Sequence, residues 1–149
     1  MEDISLHILD IAENSINAKA ENIKIRLNEN IEENLLTIEI EDDGLGMGEA
    51  EVKKALDPFF TTRTTRKVGL GLPLLAQSAR ESEGDVEIIS KAGKGTTIKA
   101  TFRYDHPDRR PLGNIKETLM TLVLGHPEIG FVYEHKKGQE VLRFDTRDM

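Results

Sequence analysis

The hydrophobic pattern of this chain changes its period several times, and no other feature limits the fold as strongly. Apolar residues recur at helical spacing between Asp3 and about Ala18, whereas 23–27 and 36–40 alternate apolar and polar residues as strands do, with a polar turn at 28–34. The same pattern predicts further helices and strands at 49–56, 69–82, 85–90, 96–103, 114–124, 129–134 and 140–144. These periods predict a chain that mixes helices and strands.

The composition narrows the class of protein. A chain of 149 residues has the length of one ordinary domain and can bury a core without cross-links. The absence of cysteine excludes disulfides, thiolate metal sites and cysteine nucleophiles, and it suits a reducing cytoplasm. A net charge of -7 disfavours loose association with nucleic acid or anionic lipid, and no apolar run approaches the ~20 residues that span a bilayer. We therefore expect a cytoplasmic protein that binds neither nucleic acid nor membrane.

The first predicted helix carries a polar stripe. Its members Asp3, His7, Asp10, Asn14 and Asn17 recur at steps of three or four residues and so share one helix face. The carboxylate of Asp10 and the amide of Asn14 lie one turn apart and could hold a Mg²⁺ ion and a water molecule. Asparagine is a weak helix former, which hints at a purpose for the stripe, but the spacing alone favours an ordinary solvent-exposed face.

Two glycine-rich segments follow predicted strands. In Asp43-Gly44-Leu45-Gly46 the glycines permit tight turning and close approach to a ligand, and Asp43 could accept a hydrogen bond from an exocyclic amine such as that of adenine. The alternative is a common Asp-Gly turn. The segment 93–97 joins two predicted strands, and by itself it is typical of a simple hairpin turn.

A basic, hydroxyl-rich segment precedes the helix that is predicted from about residue 69. Here Arg63, Arg66 and Lys67 lie between Thr61 and Gly71, where free backbone N–H groups and the helix dipole suit a polyphosphate. A surface loop with ordinary basic residues is the alternative. The four histidines are scattered along the sequence and form no metal-ligand motif.

Taken in this order, the segments resemble the motifs of the GHKL ATPase superfamily, which includes gyrase-type topoisomerases, heat-shock chaperones, histidine kinases and mismatch-repair ATPases. The resemblance covers about residues 3–103. Each segment is similar to one family box: Glu13–Ala18 to the N box, Asp43–Met47 to the first glycine box, Asp57–Arg63 to the F box of histidine kinases, Gly69–Leu72 to the second glycine box and Gly93–Thr96 to the last. Each motif is short, but several motifs in this order are a specific signal.

The resemblance implies a Bergerat-type ATP-binding fold, an α/β two-layer sandwich whose mixed sheet carries helices on one face, with a lid over ATP at 59–69. It implies that Asn14 coordinates Mg²⁺, and it puts Asp10 where hydrolysing members carry the glutamate that activates water. By the same resemblance, Asp43 binds the adenine amino group and Thr96 supports the water network beside it. The residues implied to bind Mg-ATP are Asn14, Asn17, Asp43, Gly44, Gly46, Met47, Phe59, Thr61, Thr62, Arg63, Arg66, Lys67, Gly69, Leu70, Gly71, Leu72 and Thr96, with Asp10 as the catalytic residue and with Asp10 and Asn14 at the metal.

The segment after about residue 104 has no counterpart in the family. We expect a family domain at 1–103 and a helix plus β-hairpin extension at 104–149, packed on the same domain. The chain begins directly at the N-box helix, and no histidine has the setting of a histidine-kinase phosphoacceptor. The resemblance therefore leads us to expect a stand-alone, anti-sigma-like kinase with a protein partner, either a phosphoacceptor or a regulator. A slow ATPase switch with Asp10 as the base and a nucleotide-sensing module without turnover are the alternatives, and a homodimer is left open.

Overall fold

A computed structural model describes residues 3–55 and 71–148 of the chain. Within these ranges, helices and strands follow one another as the changes of period predict. In chain order they are α1 (Ile4–Asn17), β1 (Asn22–Asn30), β2 (Leu35–Asp42), α2 (Glu49–Ala55), α3 (Gly71–Glu81), β3 (Asp85–Lys91), β4 (Gly95–Arg103), α4 (Ile115–Gly125), β5 (Gly130–Lys137), β6 (Glu140–Asp145) and a short 3₁₀ helix (Thr146–Asp148). Among the helices in these ranges, none combines the length and the apolar character that crossing a bilayer demands.

The strands form one mixed sheet with the spatial order β3-β4-β2-β1-β5-β6. Neighbouring strands are antiparallel except β1 and β5, which run parallel with Asn22 opposite Gly130. A parallel neighbour requires a long crossover, and between β1 and β5 the described residues contain three further strands and three helices. This mixed sheet with its helix layer confirms the predicted α/β class and the Bergerat-type architecture.

The core lies between one face of the sheet and the helices α1 and α3. From α1, the side chains of Ile4, Ile8 and Ile11 are at most 1% exposed. Burial of one such side chain stabilises the fold by roughly 1.5–3 kcal/mol, so α1 is held firmly against the sheet. The same core also contains Ile23, Ile25, Leu27, Leu36, Ile38, Ile40, Leu72, Leu75, Ala79, Ile98, Ala100, Phe102, Leu122 and Phe131.

The opposite face of the sheet is charged. One row of side chains crosses all six strands with alternating sign, and in strand order its members are Glu87, Lys99, Glu39, Arg26, Glu134 and Arg143. Near the centre of the row, Arg26 pairs with Glu39 and, at 3.3 Å, with Glu134. Opposite charges across neighbouring strands contribute roughly 0.2–1 kcal/mol per pair, and this face therefore suits water while the apolar sides of α1 and α3 pack on the other.

Strand β1 is longer than the sequence pattern predicts. The predicted polar turn at 28–34 is wrong in its first part, because β1 continues to Asn30. Glu29 is buried there because hydrogen bonds satisfy its carboxylate: His135 Nε2 donates to it over 2.6 Å and the hydroxyl of Tyr104 over 3.0 Å. Burial alone would raise the pKa of Glu29, but these hydrogen bonds outweigh burial and hold the pKa below its ordinary value.

The segment after β4 returns to the start of α1. The carbonyl groups of Pro111 and Leu112 accept hydrogen bonds from the backbone N–H groups of Ile4 and Ser5, both at 2.9 Å. N–H groups in the first turn of a helix have no partner within the helix, so this connector caps α1. Farther along, Thr118 of α4 donates to the carbonyl of Ser5 over 3.4 Å. The helix α1 is therefore held by the sheet on one side and by the connector and α4 on another.

Candidate functional site

Helix α1 carries the residues that the sequence predicts at the metal. Asp10 and Asn14 lie one turn apart and are both half-buried, whereas Asn17, the last residue of α1, is exposed. The carbonyl oxygen Oδ1 of Asn14 is buried and accepts no hydrogen bond from residues 3–55 or 71–148. A buried acceptor without a partner costs about 1–3 kcal/mol, so a ligand that engages this oxygen would offset that cost. An amide oxygen is a hard ligand of the kind that Mg²⁺ prefers, and Asn14 therefore fits a magnesium ion.

The carboxylate of Asp43 is engaged at the start of β1. Its Oδ1 accepts hydrogen bonds from the backbone N–H groups of Glu21 and Asn22, at 2.8 and 2.9 Å, and its Oδ2 accepts one from the Asn22 side chain at 2.8 Å. Partial burial would raise the pKa of Asp43, but these hydrogen bonds outweigh it and hold the pKa below its ordinary value. These hydrogen bonds tie the Asp43 carboxylate to the start of β1, and its predicted contact with the base stays a prediction.

The neighbouring Asp42 lies on the other face of β2, beside α1. Strand alternation places Asp42 on the same face as the buried Ile40, so its side chain lies on the helix side of the sheet. The hydroxyl of Ser15 on α1 donates to Asp42 Oδ2 over 2.6 Å, and the N–H of Gly44 donates to Oδ1 over 2.9 Å. Sequence reasoning missed this residue, although the alternation of β2 was a usable signal.

Two hydroxyl groups continue the polar row across the sheet. Thr96 lies opposite Asp42 in the register of β4 with β2, and Ser90 lies opposite Thr96 in the register of β3 with β4. The hydroxyl oxygens of Ser90 and Thr96 are 2.7 Å apart, and the N–H of Met47 donates to that of Ser90 over 2.8 Å. The predicted Thr96 and Met47 thus meet at Ser90, which a single serine in a strand gave no means of predicting.

The glycines of this region allow backbone segments to approach one another. A Cβ on Gly44 would lie 2.6 Å from the carbonyl oxygen of Ala18, at the end of α1. Gly46 has a φ of +69°, and a Cβ there would lie 2.0 Å from the carbonyl oxygen of Lys91. Only glycine tolerates both the left-handed conformation and such a contact at this position. The loop after β2 is therefore fixed between α1 and the β3–β4 turn, which places Asp42 beside α1.

The remaining predicted residues divide into two groups. Gly71 begins α3, and Leu72 is 7% exposed and packs in the core. The others lie outside the described residues, and they are Phe59, Thr61, Thr62, Arg63, Arg66, Lys67, Gly69 and Leu70. The predicted lid at 59–69 belongs to the same undescribed part of the chain.

The described site has two ends, joined through α1. At one end is the open acceptor of Asn14, with Asp10 one turn away. At the other end is the row of Asp42, Thr96 and Ser90 across three strands. Asn14 and Ser15 are adjacent in α1, and Ser15 bonds to Asp42, so one turn of helix connects both ends. Such a site can hold a metal-bound anion at one end and a hydrogen-bond donor of a planar ring at the other.

Comparison with known proteins matches most of the chain to one family model. The family model described as histidine kinase-, DNA gyrase B-, and HSP90-like ATPase matches residues 2–106. The chain is 38% identical over 80 residues to the sensor histidine kinase WalK of Bacillus subtilis, an alignment that covers 50% of this chain and 13% of WalK. It is 35% identical over 92 residues to the signal transduction histidine-protein kinase AtoS of Escherichia coli, covering 61% of this chain and 15% of AtoS.

A further relative is sporulation kinase E of Bacillus subtilis, 33% identical over 82 residues, which are 54% of this chain and 11% of that kinase. The aligned segment therefore spans only between 11% and 15% of the length of these three relatives. What is shared with each of them is one segment, whereas the match to the family model at 2–106 contains the residues of both ends of the described site.

Proposed function

Because the chain belongs to the histidine kinase-, DNA gyrase B- and HSP90-like ATPase family, we propose that it binds Mg-ATP and transfers the γ-phosphoryl group to a partner protein. The family match supports the ATP-binding part of the proposal. The observation that carries the site is the open acceptor of Asn14, next to the hydrogen bond between Ser15 and Asp42. Transfer to a partner is inferred from the relatives, which are kinases. We also propose that the protein acts in the cytoplasm, where ATP is available.

At the phosphate end, Asn14 is the residue that would hold Mg²⁺ through its Oδ1. When bound, the ion supplies neutralising charge to the β- and γ-phosphates. Asp10 lies one turn earlier on α1, where its carboxylate would accept the proton of the attacking hydroxyl group. Phosphoryl transfer depends mainly on positioning and charge stabilisation, so the rigid packing of α1 is itself part of the chemistry.

At the base end, we assign the exocyclic amine of adenine to Asp42 in place of Asp43. The donors Ser15 and Gly44 already fix the orientation of the Asp42 carboxylate, which leaves it directed toward the helix side of the sheet. A carboxylate accepts from the amine of adenine but repels the carbonyl oxygen that guanine carries at the same position. Thr96 and Ser90 provide a second polar contact in the same row. This end of the site should therefore select adenine nucleotides.

A slow ATPase is the second candidate, and the place of Asp10 on α1 favours it. The residue is acidic and half-buried, one turn before Asn14, so it could equally take the proton of a water molecule. Hydrolysis and transfer share every other part of the site. The two activities differ only in whether the attacking hydroxyl group comes from water or from a protein.

The test uses the full chain with ATP labelled at the γ-phosphate, alone and after mixing with a lysate from which partners are captured. We expect Asn14→Ala to abolish magnesium-dependent ATP binding in calorimetry, and the matched control Gln77→Ala, an exposed amide on α3, to bind as the wild type does. Label that moves to a captured protein supports the kinase. Phosphate release by the chain alone that Asp10→Asn removes favours the ATPase instead. Undiminished Mg-ATP affinity in Asn14→Ala would refute the site.

A further inference from the structure

Strand β3 forms one edge of the described sheet. Among the described residues it has a partner strand on one side only, which is β4. The main-chain N–H and C=O groups on its other side are therefore open to pairing with a further strand. Strand alternation turns Glu87, Ile89 and Lys91 toward the charged face of the sheet, and all three are exposed, Ile89 by 59%. A negative, an apolar and a positive side chain thus follow one another along this edge.

This arrangement differs from the way in which edge strands are usually protected. A protected edge carries proline or a charge where a second strand would pair, whereas β3 contains no proline and has an exposed isoleucine between Glu87 and Lys91. Glu87 lies opposite Lys99 of β4, but neither Glu87 nor Lys91 forms an ion pair with any described residue. The two charges that flank Ile89 are therefore available to a partner.

An antiparallel copy of the same strand would complement these three side chains. With a two-fold axis at Ile89, this residue meets its own copy, and Glu87 lies opposite the partner's Lys91 on both sides of the axis. A parallel copy would instead put each charge beside an identical charge, which is destabilising. On the other face, the antiparallel register sets Ser90 of the base end beside the partner's Ile88, so the contact adjoins the proposed nucleotide site of each copy.

We propose that the protein forms a symmetric dimer in which the two β3 strands pair antiparallel about Ile89 and join both sheets into one. The neighbouring register, centred on Ile88, would put Lys91 opposite the partner's Asp85. It is the poorer register, because Arg80 already pairs with Asp85 at 3.1 Å. The net charge of -7 repels two copies at a distance, but the Debye length at 0.15 M salt is only about 8 Å, so the contact pairs of opposite charge outweigh this repulsion.

The test is sedimentation equilibrium of the full chain without nucleotide, so its result does not depend on the proposed function. Protein concentrations reach about 1 mM, because an interface of one strand pair is small and weak. The mass should rise from 16.7 kDa toward twice that value. Glu87→Lys and Lys91→Glu each turn both interchain pairs into like charges, so each should raise the dissociation constant of the dimer at least about tenfold.

A mixture of these two variants is the sharper experiment. In a mixed dimer the exchanged charges are opposite again at both pairs, so an equimolar mixture should dimerise as the wild type does. The control Lys136→Glu makes the same exchange on the same face of the sheet but in β5, and it should leave the dissociation constant unchanged.

Three outcomes would overturn the inference. The first is a chain that stays monomeric at every concentration. The second is a dimer that neither charge reversal weakens, because its interface would then lie elsewhere. The third is a mixture that dimerises no better than the separate variants. Circular dichroism of each variant distinguishes a lost dimer from a lost fold.

Discussion

Substituting asparagine for Asp42 or for Asp43 tests which of these two carboxylates binds the base of the nucleotide and which only holds the start of β1. Asp42→Asn alters the group that Ser15 and Gly44 orient on the helix side of the sheet. Asp43→Asn alters the group that binds the start of β1. Both substitutions keep the size of the side chain, so neither should prevent folding. We expect Asp42→Asn to weaken ATP binding and Asp43→Asn to lower only the free energy of unfolding.

The magnitudes follow from the hydrogen bonds that each variant loses. A hydrogen bond to a charged group contributes about 1.5–3 kcal/mol, and each 1.4 kcal/mol is a factor of ten in affinity, so Asp42→Asn should raise the Kd for ATP roughly 10- to 100-fold. In Asp43→Asn the oxygen that accepts both backbone N–H groups is kept, and the hydrogen bond from the side chain of Asn22 is lost. Asp43 is exposed, so the cost in unfolding free energy should be about 1 kcal/mol.

The assay is calorimetric titration of each variant with Mg-ATP and with Mg-GTP, together with unfolding in urea. Asp42→Asn should also narrow the preference for ATP over GTP, because the amide can donate to the carbonyl oxygen of guanine. The reverse result, with wild-type affinity in Asp42→Asn and weakened binding in Asp43→Asn, would refute the assignment and restore the original prediction for Asp43.

Three further predictions concern the fold around the site. Hydrogen bonds hold the pKa of Glu29 below its ordinary value, so the ionised carboxylate stabilises the fold at any pH above that ordinary value. This contribution is lost as the pH falls through the lowered pKa. Between about pH 5 and 3 the Tm of the wild type should therefore fall more steeply than the Tm of Glu29→Gln. Gly46→Ala should lower the free energy of unfolding in urea by about 1–3 kcal/mol or more, because its Cβ would meet the carbonyl of Lys91. The control Gly138→Ala, at a φ of +60° with open space around it, should lower it by about 1 kcal/mol. Equal losses of unfolding free energy in the two variants would contradict the contact at Gly46. Arg26→Met should cost about 1 kcal/mol, because the pair is half-exposed, and the loss should shrink in about 1 M salt if it is electrostatic.

The order of elements could be predicted from the sequence because each period is a local property. The helix α1 shows its buried side in the spacing of Ile4, Ile8 and Ile11, and the strands show alternation. The end of β1 could not be predicted in the same way. Glu29 looks like a turn residue, and it is buried in the strand because Tyr104 and His135, which lie 75 and 106 residues later, supply its hydrogen bonds. The parallel pairing of β1 with β5 is a contact of the same long-range kind.

At the base end, the residue that we propose differs by one position from the residue that the sequence predicts. The sequence offers two successive aspartates before Gly44, and both have the same chemistry. Only the face of the strand separates them, because the face decides whether the side chain meets Ser15 or Asn22. The open acceptor of Asn14 is different again: the spacing on α1 suggested it, but whether the oxygen has a partner depends on packing that no sequence pattern contains.

Helix α1 contacts both the connector after β4 and helix α4, and it carries residues of both ends of the proposed site. Its first N–H groups are capped by the connector after β4, and its last turns carry Asn14 and Ser15. The helix α4 contacts it at both ends, through Thr118 near its start and through His126, whose Nε2 lies 3.5 Å from Glu13, the residue before Asn14. Asn14 and Ser15 belong to the two ends of the proposed nucleotide site, so a displacement of α4 that carries α1 with it would move both ends.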